Sequence, residues 1–529
     1  MKKLALLFSI ALVLLISSYY ITLANTPTYL GVSFLTQDEV TAKTENLTSV
    51  ETGGLAIFVR FEDTSLVYDR FTAMYFITIG EDYSGNFETH GGIDLYWISS
   101  FDETQAAQAI ASNEPFSLLA IYNGSYEIIS LKISTLPLVS FSSVETGQVI
   151  TIIDPADAQT NRYTTTSYNM TYKVRGATSS IFPKTPYKVS LIDEDANRIA
   201  ESLFGLRTDD DWNFNAVYGD FTRIREASTL DLLQQMADNS ETTTMHPQNG
   251  QFCELFIDEH YYGIYQVLEP MDTQQSTIDE SSDYLYKAYS VNIDTFSAEE
   301  YASYVEDDLY AKAIAKSYPE DAYETHFDPL IDYLSFIYGG ETDNGISLAT
   351  SSLAEISTVI DIDNLIDLSI ANTIFLLGDN YKKNYLIAIE EQEDGSMLVR
   401  REYFDLNYSL GDSYISANGE GDFALTTSAD PEDICTDSLF DLFATAACYD
   451  EFIALYQARY AELRETTLSE ENILATINDY YTSLSNSGAY DRDTARWSIP
   501  GDAAEEYAEL IAYIPAHLIV TDEYVASLS

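Results

Sequence analysis

Basic residues are scarce in this chain. Its 26 lysines and arginines face 85 acids across 529 residues, for a formal net charge of −59. Nucleic acid is bound by clustered Lys and Arg that neutralise phosphates, and anionic lipid is bound the same way, so neither partner is expected. Cysteine is nearly absent. Cys253, Cys435 and Cys448 leave room for one disulfide but no disulfide framework, and without a C-x-x-C pair a zinc site has no support. The histidines His90, His246, His260, His326 and His517 are scattered and form no H-E-x-x-H, which leaves a zinc hydrolase without its motif. Past the N-terminus there is no second long apolar run, no internal repeat and no extended low-complexity tract.

What is present suffices for sizeable cores: 46% hydrophobic and 13% aromatic residues, with 41 tyrosines. Frequent Gly, Asn and Asp punctuation adds a signature of strands and hairpins. The acidic excess reads as a solvated surface or as broad affinity for divalent cations. At the N-terminus, Met1-Lys2-Lys3 precedes an apolar run, Leu4 to Ile16, and a cleavage-like Thr22-Leu23-Ala24. Residues 1–25 therefore read as an export signal, or as an N-terminal membrane anchor if uncleaved. An extracellular or cell-surface location follows.

Residues 26–133 alternate in the manner of a β-rich, sandwich-like accessory domain and carry no recognisable chemistry. From 134 to about 275 strand patterns continue, interrupted by an amphipathic helix around Glu226–Met236. From 276 to 529 helices dominate, with Thr467-x-x-Glu470 as a capping box before one of them. A β-rich half followed by a helical half gives two lobes of an α+β fold.

The chemistry concentrates between residues 361 and 412. Asp361 to Leu377 reads as a buried helix with Gly378 as its left-handed cap. Asp379-Asn380-Tyr381-Lys382-Lys383-Asn384 follows, then a strand, an Asp394-Gly395 turn, and a return strand ending at Asp405-Leu406-Asn407. With Asp394 and Gly395 as a two-residue turn, counting outward sets Asn384 opposite Asp405. An amide and carboxylates at one point make a hard-oxygen site suited to Mg²⁺, with Asp379 arriving on the adjoining loop. Protein kinases share this logic: a catalytic-loop Asp, an Asn five residues on, a hairpin, then a metal-binding Asp. Lys382 and Lys383 read either as cations for transferring phosphate oxygens or as charge balance for nearby acids. For nucleotide phosphates, Lys188 on a strand is the better candidate and Lys184 the alternative. Glu269, at the end of a strand beside aromatic surface, is a reasonable partner for a buried lysine. Arg225 reads as a phosphate contact or, with more support, a structural salt bridge.

Several separated blocks resemble the spore-coat CotH kinase family. They are Arg175-Gly176…Ser179-Ser180…Phe182-Pro183-Lys184…Tyr187-Lys188; Trp212-Asn213-Phe214-Asn215-Ala216 with Asp220-x-Thr222-x-x-Arg225; and Phe256-Ile257-Asp258…Tyr262-Gly263-Ile264-Tyr265…Glu269. Leu285-Tyr286-Lys287, the Asp379…Asn384…Asp405 segment and Arg496-Trp497 follow in the family's order. The resemblance implies an α+β, divergent protein-kinase-like two-lobed fold over 134–529, behind the β-rich N-terminal domain. It implies ATP- and Mg²⁺- or Mn²⁺-dependent phosphorylation of Ser or Thr on an exported or cell-surface protein. Asp379 would be the catalytic acid, Asn384 and Asp405 metal ligands, and Lys188 and Glu269 nucleotide-side residues. Where the family usually reads Asp-x-Asp, this chain has Asp405-Leu406-Asn407, one carboxylate fewer. The alternatives are a non-catalytic surface or adhesion protein on a kinase-like scaffold, and nucleotidyl transfer to protein hydroxyls.

Overall fold

The computed structural model describes residues 28–80, 85–155, 163–176, 178–240, 242–288, 314–319, 327–342, 344–381, 383–412, 430–499 and 501–529. The N-terminal segment 1–25 and Lys382, both given roles above, lie outside the described residues. The chain divides into two compact units that do not follow linear order.

The first unit comprises Met1–Met170, Cys253–Ile264 and Ser483–Arg496. Its main sheet runs Thr28–Tyr29, Val32–Leu35, Asp94–Ile98, Phe116–Tyr122, Ser125–Ser134, Met74–Thr78, Val67–Asp69, with Thr48–Ser49 beside Ser125–Ser134. A three-stranded sheet around Val59–Phe61 shares its core, where Phe87 packs edge-on against both Phe61 and the fully buried Trp97. Two sheets across one core fit the sandwich-like expectation in part. The main sheet is mixed, however: Val32–Leu35 pairs in parallel with Asp94–Ile98, and Met74–Thr78 with Ser125–Ser134. Parallel pairs need long crossovers. The helices Gln37–Thr44 and Glu103–Ala111, each opened by a capping box, lie in this part of the chain. The same unit pairs Leu138–Val144 in parallel with Gly250–Ile257. There Glu254, fully buried, accepts from Arg492 Nε (2.8 Å) and Nη2 (2.6 Å) and from the Tyr261 hydroxyl (2.6 Å).

The second unit comprises Thr171–Phe252, Tyr265–Thr482 and Trp497–Ser529. Its early part holds β1 (Tyr187–Ile192), β2 (Asp211–Asn215), α1 (Arg225–Asp238) and the end of β3 (His260–Leu268), with β2 antiparallel to both β1 and β3. Its centre is α2 (Ile362–Phe375), buried around nearly its whole circumference, polar side chains included. The helices α1, Ser438–Phe443, Tyr449–Glu465 and Ala503–Ser527 pack around α2. Two polar side chains on α2 are paired across the core: Asn364 exchanges hydrogen bonds with the Arg401 backbone, and Asp367 pairs with Arg459. Beside α2 lies a four-stranded antiparallel sheet in the order β5 (Ile314–Tyr318), β4 (Tyr284–Ala288), β6 (Tyr385–Glu391), β7 (Met397–Tyr403).

Two local expectations are corrected. Gly378 is not the helix cap; Leu376 takes the left-handed conformation at φ 54°. The later helix, Glu470–Asn486, is capped by the Ser469 hydroxyl on Asn472 N rather than by Thr467, whose hydroxyl accepts from Asn239. No disulfide forms; all three cysteines are free and buried. Among the described residues no helix is long and apolar enough to cross a membrane.

Candidate active site

The hairpin of β6 and β7 is shifted by one residue from the expected register. Glu391 pairs with Met397 and Tyr385 with Tyr403, so the loop is three residues, Glu393-Asp394-Gly395, closed by Gln392 N to Ser396 O (2.8 Å). Gly395 sits at φ 81°, the left-handed position of a turn followed by a bulge. The Asp394 carboxylate accepts from both the Ser396 amide and hydroxyl, which stabilises this longer turn. Asn384 therefore lies opposite Phe404, whose N–H donates to Asn384 O (3.0 Å), and not opposite Asp405.

Another device brings the ends together. Asn380, fully buried, donates through Nδ2 to the carbonyls of both Asn384 (3.0 Å) and Phe404 (2.9 Å). It thereby pins the loop after α2 to both ends of the hairpin. Asn384 and Asp405 both adopt left-handed backbone conformations, φ 59° and 61°. Non-glycine residues adopt this only when their surroundings hold them, and such positions concentrate at functional sites.

The loop acid Asp379 is buried between two donors, Lys383 Nζ at 2.8 Å from Oδ1 and Asn384 Nδ2 at 2.8 Å from Oδ2. Asp405 keeps an accessible surface, yet protein surrounds its carboxyl closely enough that desolvation leads the upward push on its pKa. The Asp379 charge pushes the same way, while Arg175, Lys383 and Lys287 oppose it. Burial also lowers the pKa of Arg175 and of Lys287, and the Arg175 charge lowers Lys287 further. Glu226, buried in the first turn of α1, is pushed up to about 7 by burial and then by Asp405, against hydrogen bonding from Asn215 and the charge of Arg175. Carboxylates that repel one another and cations that repel one another thus share one small region.

Of the candidates named from sequence, Asp379, Lys383, Asn384 and Asp405 are brought together. Lys188 is half-exposed and ion-paired with Asp211 (2.6 Å). Lys184 is fully buried with its Nζ 5.0 Å from the centre of the Tyr265 ring. Glu269 accepts from Arg207 N (2.9 Å) and from Asn249 N (3.0 Å) and Nδ2 (3.3 Å), so its carboxylate joins loops rather than receiving a lysine. Arg225 is buried against Asp220 (2.7 Å), which also accepts from its backbone N–H. Sequence reading missed Glu226 and the shared role of Arg175, Lys287 and Asn215. All but Glu226 stood within the quoted blocks, which was the available signal.

Among the described residues, no group of three or more His, Cys, Asp or Glu is arranged to hold a metal ion. The oxygen donors are two carboxylates and an amide. That set fits Mg²⁺, which commonly takes one or two carboxylates and completes its shell with water and substrate phosphate. Mutual repulsion between Asp379 and Asp405 is what a cation would relieve.

No curated protein matches the chain. The family model described as CotH kinase protein matches residues 172–518, well over half of the sequence and every site residue named here. Arg175 near one end of that match and the Asp379-to-Asp405 segment inside it meet at one place, and the chain belongs to the CotH kinase protein family.

Proposed function

We propose that this chain is an exported phosphotransferase that moves the γ-phosphoryl group of ATP, with Mg²⁺ or Mn²⁺, to a Ser or Thr hydroxyl of an exported or cell-surface protein. The observation that carries the reading is the convergence of Asp379, Asn384 and Asp405 with Lys383, Arg175 and Lys287 in a chain otherwise poor in cations. Family membership supports a kinase-like activity.

Asp405 and the Asn384 side-chain oxygen are the groups that would hold the cation. Such a cation would supply positive charge against the transferring phosphate. Asp379 orients the acceptor hydroxyl and receives its proton as the oxygen bonds to phosphorus and ADP departs. Lys383 steadies the Asp379 carboxylate and lies near the developing charge. Arg175 and Lys287 offer desolvated positive charge, which is worth more to a phosphate than the same charge in water. Residues 1–25 support export by their composition alone.

The test incubates protein from residue 26 onward with Mg²⁺ or Mn²⁺ and ATP labelled at the γ- or the α-phosphate. Protein-bound γ label, lost in Asp379→Ala and Asp405→Ala, is the expected result. Transfer of α label alone would mean nucleotidyl transfer. Absence of both labelling and nucleotide binding would leave a scaffold without this chemistry.

A further inference from the structure

We infer that Glu226 is a positioning residue that ties the Arg175 guanidinium to the backbone just beyond Asp405; the inference rests on the phosphotransferase reading above. Glu226 stands in the first turn of α1, where the helix dipole favours a carboxylate. Its Oε1 accepts from the Leu406 N–H (3.3 Å) and its Oε2 from Asn215 Nδ2 (3.0 Å). Asn215 closes β2, and its Oδ1 accepts from Arg175 Nη1 (2.5 Å). The path is continuous: Arg175, Asn215, Glu226, then the peptide that follows Asp405.

The direction of each hydrogen bond matters. Both Glu226 oxygens accept here, so the Asn215 amide presents its nitrogen inward and its oxygen to Arg175. The other end of Glu226 holds the peptide next to a residue at φ 61°, a backbone position that needs support. One turn further along α1, the Thr229 hydroxyl meets the Ser409 hydroxyl (2.9 Å), so one face of the helix grips the segment after Asp405 at two levels. Glu226 thus sets the place of the phosphate-side cation and of the metal-side acid together without touching phosphate itself.

This separates variants that a merely structural residue would not separate. In Glu226→Gln the side-chain oxygen still accepts from Leu406, but the new NH₂ reverses the Asn215 amide and turns a donor toward Arg175. Asn215→Ala cuts the path at the same end. The experiment measures Mn²⁺ binding to the full chain by electron paramagnetic resonance without nucleotide, and ADP binding in EDTA by calorimetry, with melting temperatures as a folding control. Glu226→Gln and Asn215→Ala are expected to weaken ADP binding roughly tenfold, the worth of one charge-assisted hydrogen bond, with Mn²⁺ affinity within about twofold. Glu226→Ala is expected to weaken both roughly tenfold. Equal losses of both ligands in Glu226→Gln, or no loss of ADP in either Glu226→Gln or Asn215→Ala, overturns the inference while leaving the activity intact. A wild-type chain that binds neither Mn²⁺ nor ADP overturns the phosphotransferase reading, and this inference falls with it.

Discussion

Replacing Arg492 with alanine removes the partner of a carboxylate that water cannot reach. Glu254 is 0% exposed and receives two guanidinium bonds from Arg492, which also donates to Ser487 O (2.7 Å) and Asn113 Oδ1 (3.3 Å). After the substitution the neutral Tyr261 hydroxyl and the Ser134 side chain still serve that carboxylate, but no cation does. Breaking one side of a buried pair costs about 3–5 kcal/mol, because the remaining charge must be neutralised or hydrated. In native-state hydrogen exchange, amides of Gly250–Ile257 should exchange roughly two to three-and-a-half orders of magnitude faster. The effect carries a pH signature. Burial raises the pKa of Glu254, but the Arg492 charge and hydrogen bonds outweigh it and hold the group below its ordinary 4.5. A depressed carboxyl stabilises the fold fully above its unfolded pKa and ceases to do so as pH falls through the lower folded value. The gap between wild type and Arg492→Ala should be widest above about pH 4.5 and narrow below it. The double variant Glu254→Leu with Arg492→Met should recover much of the loss, since a packed apolar pair replaces an ion pair at little cost. A penalty under about 1 kcal/mol, or a gap unchanged between neutral and strongly acid pH, would refute the reasoning.

Three further outcomes are expected. Lys188→Ala, which breaks a half-exposed pair with Asp211, should change phosphoryl transfer less than about twofold and stability by at most about 1 kcal/mol, read by label transfer and thermal melting. Gly411→Ala should destabilise the second unit by about 1–3 kcal/mol in a melting experiment: a Cβ there would lie 2.8 Å from the Tyr513 ring, at a backbone φ of 89°. The Cys435 thiol is pushed up to about 12 by burial and then by Asp437 and Asp441, so mass spectrometry after alkylation at pH 8 should find it labelled only in denaturant.

The central helix was legible because Leu365, Leu368, Asn372 and Phe375 fall at helical spacing, and the hairpin because β6 and β7 flank an Asp-Gly pair. Register was not, because Asp-Gly serves two- and three-residue turns alike and the choice lay in the Ser396 hydrogen bonds to Asp394. That single-residue slip would have sent Asp405 to the wrong neighbour, yet Asp379, Asn384 and Asp405 still share a site. Asn380, a residue without chemistry of its own, does what strand pairing was expected to do. Glu269 reads in sequence as an available strand-end acid beside tyrosines, whereas its oxygens accept from Arg207 N and from Asn249 on loops that the sequence does not link to it. Glu226 was invisible as chemistry for the converse reason. On an amphipathic helix it reads as a solvated charge, and only the tertiary structure shows it enclosed against Leu406 and Asn215.

The first unit draws its last piece, Ser483–Arg496, from near the end of the chain. During synthesis the strand carrying Glu254 emerges more than two hundred residues before the arginine that neutralises it. Until then this acid has every reason to stay in water, and the strand holding it gains little by settling. A ribosome-stalled or truncated product lacking residues beyond 482 should therefore remain open to proteases in its N-terminal half, however complete that half looks in sequence. Completion of the front of the molecule is timed by its tail.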